Sequence, residues 1–359
     1  MTAVRDYAGV IHFHSDFSFD GRRPVSEIVR TARQCRLDFL MITDHGTLRA
    51  REAGLEGWHD GVLLIVGEEI SPRFNHYLAF GIDRAVAIPE DSDTPPQAYM
   101  DAVARQGGFG FIAHPDHGGN ALFHVKHYPW NDWSVGSYAG MGIWDFMTDW
   151  QSALTGPCKA LWCYLQPSLV LKGPKPETLR RWDALTRERK IVGIGELDNH
   201  DTVHRFLGIP IPVFPFRRAF RTIRTHLLVE SPMTGHAATD IVLLYDALKR
   251  GRVYVALESH QETKGFFFIV RGASGTALPG DDHILDEASQ IEVRLPTWGR
   301  IRIIKDGQLW NETKGISTGH PLKDAGCYRV EVSRRLLGRY RPWIYSNPIY
   351  VRQAGSRRA

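Results

Sequence analysis

Cysteine is scarce in this chain of 359 residues, with four in all, at Cys35, Cys158, Cys163 and Cys327. None stands in a Cys-x-x-Cys pair, so neither a disulfide framework nor a thiolate zinc site is indicated. No apolar run approaches the roughly 20 residues needed to span a bilayer, and the expectation is that no membrane partner exists. A strong excess of one charge is also lacking. Lys and Arg number 44 against 40 acidic residues, a net charge of +4. That balance suits anionic substrates and carries no strong nucleic-acid signature. Repeats and low-complexity tracts are missing too. A histidine-rich motif begins at His12, which leaves no room for a signal peptide, and a cytoplasmic location is expected. Apolar content of 43% and charged content of 23% are ordinary for a globular protein. The length allows one large domain and a small one.

Up to about Ser259 the pattern alternates strand and helix. Val10–His14, Phe39–Thr43, Val62–Val66, Tyr77–Gly81, Phe109–Ala113, Gly142–Met147 and Ile191–Ile194 read as short apolar strands. Pro24–Gln34 reads as a helix with Ser26 as candidate cap. Pro215–Leu228 reads as an amphipathic helix. It carries Phe216, Phe220, Ile223 and Leu227 on one face and a solvated basic face of Arg217, Arg218, Arg221 and Arg224. Short apolar strands separated by helices predict a parallel α/β sheet or barrel. Residues 115–164 hold five of the ten tryptophans and read as an insertion of the kind that forms lids and binding loops. From about Gly265 helical periodicity disappears. Strands Phe266–Val270, Gln290–Leu295, Arg300–Lys305, Tyr328–Val332 and Ile349–Arg352, with a hairpin signal at Asp306-Gly307, predict a small all-β module of sandwich type. The tail from Ser356 to Ala359 is expected to fray.

Several of these strands end in plausible metal ligands. The first leads into His12-Phe13-His14, with Asp20 beyond. The second ends in Thr43-Asp44-His45 and the third in Gly67-Glu68-Glu69. His76 opens the fourth, Ala113-His114-Pro115 closes the fifth, and Glu196-Leu197-Asp198-Asn199-His200 follows the last. Alternation along a strand predicts that His12 and His14 share a face, and that Glu68 turns away from Glu69. A lone His-x-His is more often a pair of satisfied histidines than a ligand set. Its recurrence at one strand end after another is what favours metal. Side chains at the carboxyl ends of parallel strands converge on one face of a barrel. Nine groups of this type exceed the needs of one ion, so two or three divalent ions are expected. Zinc, manganese and iron all suit a mixed His/carboxylate set.

With these motifs the chain resembles the PHP (polymerase and histidinol phosphatase) superfamily over roughly residues 8–262. The resemblance implies a distorted (β/α)7 barrel over residues 1–262, with residues 115–164 inserted over the site, and a C-terminal β module over residues 263–359. It also implies a trinuclear site at His12, His14, Asp20, His45, Glu69, His76, His114, Asp198 and His200, with Glu69 as bridging carboxylate. Family members often carry Gly-Ser-Asp-Ala-His where this chain has Glu196-Leu197-Asp198-Asn199-His200, so Glu196 adds a carboxylate near the last ligand pair. It is either a partner of the ligands or a side chain pointing away. Within the superfamily, Gly251–Val255, Ala325–Val332 and Pro342–Tyr350 look most like the carbaryl-hydrolase-type subgroup, whose members couple the barrel to a C-terminal β module.

Clustered divalent ions lower the pKa of bound water and stabilise charge developing on a phosphoryl or carbonyl oxygen. Hydrolysis of a phosphomonoester or phosphodiester by a metal-bridging hydroxide is the leading expectation. Asp198, Glu69 and His114 are its candidate catalytic residues, with Asp198 as proton acceptor. Carbamate or carboxylic ester hydrolysis is the alternative. A non-catalytic metal-binding interaction module is a third reading, weakened by the complete ligand set. The expected partner is a small-molecule substrate, with a phosphate ester foremost, and a homo-oligomer is compatible with the chain. Candidate substrate contacts are His117, His124, Lys126, Trp130, Arg217 and Arg218. Trp130, Trp133 and Tyr138 line a pocket on one reading and belong to the core on another. Of the histidines outside the motifs, His236 is the one expected to be able to approach the site.

Overall fold

The computed structural model describes residues 4–206 and 208–355, and the tail expected to fray lies outside them. The core is a mixed α/β assembly with a barrel-like ring of strands. In chain order these are β1 (Arg5–Ile11), β2 (Phe39–His45), β3 (Gly57–His59), β4 (Val62–Ile70), β5 (Tyr77–Phe80), β6 (Phe109–Ile112), β7 (Gly140–Asp145) and β8 (Val192–Glu196). β1, β2 and β4 pair in parallel, β5 is antiparallel to both β4 and β6, and β6, β7 and β8 are again parallel. The ring closes beyond the strand ends. Asp198 N–H donates to His12 O at 2.8 Å, and His14 N–H donates to Asn199 O at 3.0 Å.

Every residue of β4 is buried, as expected where both faces of a sheet are covered. Alternate side chains divide between two apolar clusters. Phe39, Met41, Leu63, Ile65, Phe111 and Ile194 gather in one, capped by Leu244 and Leu248 of helix Ala237–Arg250. Leu40, Ile42, Leu64 and Val66 join the other, against Ile28 and Val29 of helix Val25–Gln34. Ser26 does not cap that helix. Pro24 occupies the cap position and no side chain bonds there, because proline at the boundary already fixes the entry φ.

The helix expected over Pro215–Leu228 is overturned. Only Phe216–Ala219 is helical, after the hairpin of β9 (Val203–Phe206) and β10 (Ile209–Pro212), and the rest becomes β11 (Ile223–Val229). β11 lies antiparallel between β1 and β12 (Val253–Leu257). Its backbone therefore exchanges helical bonds for two ladders, a tertiary override of local periodicity. Arg224, placed on a solvated face by the helical reading, is buried and bonded to Glu258 at 2.8 Å and to Cys35 O at 2.9 Å.

The C-terminal region is rich in β structure. It comprises β13 (Phe267–Gly272), β14 (Gly275–Ala277), β15 (Asp282–Ile284), β16 (Gln290–Lys305), β17 (Gln308–Pro321), β18 (Gly326–Leu336), β19 (Arg339–Ser346) and β20 (Ile349–Arg352). Asp306 and Gly307, both at positive φ, turn β16 into β17 as their sequence predicts. β17 and β19 were not expected, since their polar, half-exposed runs lack a strand pattern. β19 pairs with β12, so main-chain bonds join this region to the core. Asn347 adds a side-chain bracket. Its amide bonds Gly193 N and Gly193 O at 2.8 Å each, and Val253 O at 3.1 Å. In this way one amide stands in for the missing ladder between β8 and β12.

In the middle of β11, opposite Ala8 of β1 and Tyr254 of β12, His226 is sandwiched. It lies 2.8 Å from Asp6 and 3.4 Å from Glu258, stacked on Tyr254 at 4.2 Å. Burial alone would depress its pKa, but Asp6 and Glu258 outweigh burial and raise it from 6.5 to about 9. A folded-state pKa above the unfolded one stabilises the fold fully below the unfolded value and ceases to do so as pH rises through the folded value. Replacing His226 by Gln is therefore expected to cost roughly 3 kcal/mol below about pH 6.5, an advantage the wild type loses as pH rises through about 9. Urea midpoints of both proteins across that range test it, and a gap independent of pH would refute it.

Candidate metal centre

The nine sequence-predicted ligand positions come together at the end of the core where β1, β2, β4, β6 and β8 finish. They form three overlapping sets: His14, Asp20, His45 and His200; His12, His14, Glu69 and Asp198; and Glu69, His76 and His114. Within each set the donor atoms lie within 4.8 Å of one another. His14 belongs to two sets and Glu69 to two. Glu69 Oε2 is 3.0 Å from His12 Nε2, 3.2 Å from His14 Nε2 and 3.3 Å from His45 Nδ1. Its Oε1 is 2.8 Å from His76 Nδ1 and 3.3 Å from His114 Nε2. Asp20 Oδ2 is 3.0 Å from His200 Nε2 and 3.4 Å from His45 Nε2. Asp198 Oδ1 is 3.4 Å from His12 and 3.5 Å from His14.

These residues fit divalent metal. Two ligands about 2.1 Å from a tetrahedral ion lie about 3.4 Å apart, close to the spacing here. Among the described residues neither ring nitrogen of the buried His14 finds a hydrogen-bond partner, nor does His114 Nδ1. Burial would raise the Glu69 and Asp198 carboxyls, yet the surrounding imidazoles hold both well below the usual range. The carboxylates in turn raise His12, and they lift His114 to about 9, against the opposite pull of burial. A buried cluster that stabilises this much anionic charge is one that cations complete, and metal binding there would release protons.

Local backbone explains part of the convergence. His12, His114 and Asp198 sit at φ of 67°, 26° and 48°, in a region that costs non-glycine residues of the order of 1–3 kcal/mol. Alternation therefore does not place His12 and His14 on one face. β1 ends at Ile11, and the turn at His12 swings its imidazole inward. Alternation does hold inside β4, where Glu68 turns away and accepts Val86 N–H at 2.8 Å. Burial pushes its carboxyl up to about 7.

Supporting groups surround the cluster. Glu196 points inward, bonding His12 Nδ1 at 3.1 Å and accepting His114 N–H at 2.9 Å. Ser71 Oγ is 2.8 Å from His45 Nδ1, and Pro72 O is 3.1 Å from His76 Nε2. Asp44 stands outside the cluster and accepts Ser15 N–H and Oγ–H at 2.6 and 2.8 Å, pinning the loop that carries Asp20. Asp145 ends β7 and caps the next helix through Thr148 N–H. Burial beside Asp198 and Glu196 raises it to about 7. Ser71, Asp145 and Tyr128 were passed over in the sequence because none belongs to a ligand-type motif.

Gly142 provides the room for Glu196, since a Cβ there would lie 1.4 Å from Glu196 Oε2. Gly142→Ala is expected to displace this carboxylate and weaken metal affinity by about 10–100-fold, the range for loss of a ligand's orienting partner. Calorimetric titration with zinc or manganese checks this, and wild-type affinity would rule out an orienting role for Glu196.

The candidate substrate contacts scatter. His117 is buried, 5.4 Å from the His114 ring, and accepts Tyr128 N–H at 3.3 Å. Burial and His114 lower it to about 4. Trp130 is core, with its indole N–H bonded to Asp132 O at 2.6 Å, and Tyr138 is buried against Arg189. Their rings are spent on packing, as the core reading expected. His124, Lys126 and Arg217 are exposed. Arg218 donates to Leu165 O at 2.8 Å. No contact joins any of these four to the cluster among the described residues. His236 does not approach the site either. It is exposed, bonded to Thr239 at 3.0 Å, in the loop after β11, which runs away from the cluster. Two other rings do border it. Phe19, 67% exposed, stacks on His45 at 5.1 Å, and Tyr128 lies 4.9 Å from His76.

No family model and no curated protein matches the chain. Seven chains of solved structure do. One, from Bifidobacterium adolescentis and named as a candidate metal-dependent phosphoesterase, is 18% identical with a TM-score of 0.35. The match covers 54% of this chain and 87% of that one. A likeness of that degree decides neither fold nor chemistry, which rest on the geometry above. Among the described residues no helix is long and apolar enough to cross a membrane.

Proposed function

We propose that this chain is a metal-dependent hydrolase of PHP type, acting on phosphate mono- or diesters at a centre of two or three divalent ions. The observation that carries the reading is the overlap of three donor sets through His14 and Glu69, an arrangement that suits neighbouring ions sharing ligands. On this reading the ring of β1, β2, β4, β5, β6, β7 and β8 is the distorted (β/α)7 barrel and residues 263–359 are the appended β module; of residues 115–164, β7 belongs to the ring and the stretch before it borders the site through His117 and Tyr128. Zinc, manganese or iron bound there would supply hydroxide near neutral pH and polarise the ester oxygen. The chain's own groups do the rest. Glu69 and His14 keep adjacent positions in register. His114, fixed through its main chain by Glu196, faces the same centre. Asp198, held ionised by its imidazole neighbours, accepts the proton of the attacking water.

A second reading, hydrolysis of carbamates or carboxylic esters as in the carbaryl-hydrolase-type subgroup, draws on Phe19 and Tyr128. These rings beside His45 and His76 offer an apolar border to an aryl leaving group. Rates on matched aryl phosphomonoester, phosphodiester and carbamate substrates separate the readings, using protein reconstituted with each metal and His14→Ala as blank. Phosphoester turnover abolished by the substitution is the expected result. Carbamate turnover alone would transfer the proposal to the second reading. No turnover with metal demonstrably bound would leave a metal-binding interaction module.

A further inference from the structure

The hairpin between β18 and β19 has the sequence Arg334-Arg335-Leu336-Leu337-Gly338-Arg339-Tyr340-Arg341. Its turn is Leu337-Gly338, with φ of 49° and 79°. A two-residue turn with both φ positive favours Asn-Gly or Asp-Gly, and leucine at such a position is an outlier. Leu337 is also 81% exposed, the highest value among the exposed large apolar side chains. Neither turn chemistry nor burial explains a leucine there.

The charges around it are equally unrelieved. Arg334 stands directly across from Arg341, and Leu336 across from Arg339. Like charges facing each other across a ladder destabilise it. Among the described residues no Asp or Glu forms an ion pair with Arg334, Arg335, Arg339 or Arg341. The Nε atoms of Arg334 and Arg341 are buried with no hydrogen-bond partner among the described residues. Arg334 packs over Trp343 at 5.0 Å, and burial lowers its pKa with no counter-charge to offset it. Earlier in the same strand the chain behaves otherwise, where Arg329 is paired with both Asp183 and Glu331.

Topology gives the hairpin a direction. β12 is antiparallel to β11 and β11 to β1, so β12 runs with β1. β19 is antiparallel to β12, with Val255 opposite Tyr345 and Ala256 opposite Ile344. The start of β19, with the turn before it, therefore lies at the end of the core where the ligand-bearing strands finish.

We propose that this hairpin docks the protein on an anionic lipid bilayer, with Leu337 entering the headgroup layer and Arg335 and Arg339 binding lipid phosphates. A bilayer surface accounts for both features at once. It takes up an exposed apolar tip, and its negative charge attracts the flanking arginines. A soluble phosphate or a nucleic acid would account for the arginines alone. The contact is peripheral and needs no spanning segment. It would also present the candidate metal centre toward the membrane.

Co-sedimentation of the full chain with phosphatidylcholine vesicles, with and without about a third phosphatidylglycerol, tests this. Binding is expected only to the anionic vesicles and should weaken with salt. Leu337→Asn installs the residue the turn prefers, so it should raise the melting temperature slightly while cutting vesicle affinity about tenfold. Arg335→Gln with Arg339→Gln should cut affinity by about tenfold or more. Equal binding to neutral vesicles, or no vesicle binding, would overturn the proposal. So would Leu337→Asn protein that binds vesicles as wild type does. Capture of a short oligonucleotide with equal strength by wild type and Leu337→Asn, without vesicle binding, would assign the arginines to nucleic acid instead.

Discussion

Glu69→Gln protein is expected to fold and to lose both its metal complement and its hydrolytic activity. One carboxylate of Glu69 reaches five imidazoles, those of His12, His14, His45, His76 and His114, and it is common to two of the three donor sets. The amide keeps the volume but removes the negative charge, and it offers only one acceptor oxygen. On the shared-ligand reading, both donor sets that contain Glu69 would therefore lose a ligand together. Metal content by mass spectrometry is expected to fall to at most one ion per chain. Any phosphoesterase rate should fall by about a thousandfold or more, the scale of several kcal/mol of transition-state stabilisation. Far-UV circular dichroism should stay unchanged, because the strands that carry these ligands are held by their ladders and apolar clusters. Full metal content with full activity in Glu69→Gln would remove Glu69 from the centre and undo the shared-ligand reading.

The largest loss of stability is expected from Arg329→Met. Arg329 in β18 holds Asp183 of helix Pro176–Glu188 through two bonds of 2.6 and 2.8 Å, and Glu331 through a third of 2.8 Å. Both Arg329 and Asp183 are buried. Removing the cation leaves the Asp183 carboxylate without its partner in a poorly solvated site, which typically costs about 3–5 kcal/mol. Replacing both, Arg329→Met with Asp183→Leu, should restore much of that loss, because the pair stabilises little beyond what it costs to desolvate. Denaturant midpoints of the two single variants and the double variant decide it. Additive losses would show that the pair is not an uncompensated-charge problem. The same series examines the division at residue 262. Arg329 and Asn347 bind the β-rich region to the core, so a single cooperative transition is expected in the wild type.

How far the site could be read from the sequence depended on distance along the chain. Donor residues cluster in short motifs at strand ends, so His12, His14, His45, Glu69, His76, His114, Asp198 and His200 were visible as soon as the strands were. The opposite orientation of Glu68 and Glu69 followed from strand alternation alone. The inward turn of Glu196 did not, because it depends on the missing side chain at Gly142, more than 50 residues earlier. The helix expected at Pro215–Leu228 failed for a similar reason. Its apolar and basic residues fit a 3.6-residue period, but β1 and β12 offered Ile223–Val229 two ladders of hydrogen bonds that no local pattern records. Asp306-Gly307 was read correctly because a two-residue turn carries its cause within itself.

The sequence by itself determined the alternation of strand and helix, the change to β structure after Gly265, and the identity of the donor groups. Each of these rests on short-range chemistry, whether side-chain period, turn conformation or ligand type. Only the tertiary structure decided that Glu69 joins two donor sets and that Glu196 orients His12. It alone placed Trp130 in the core and left Leu337 exposed among unpaired arginines. Those outcomes depend on which distant backbones come within hydrogen-bonding reach and on how much water is excluded when they do, and neither quantity is written in local order along a chain.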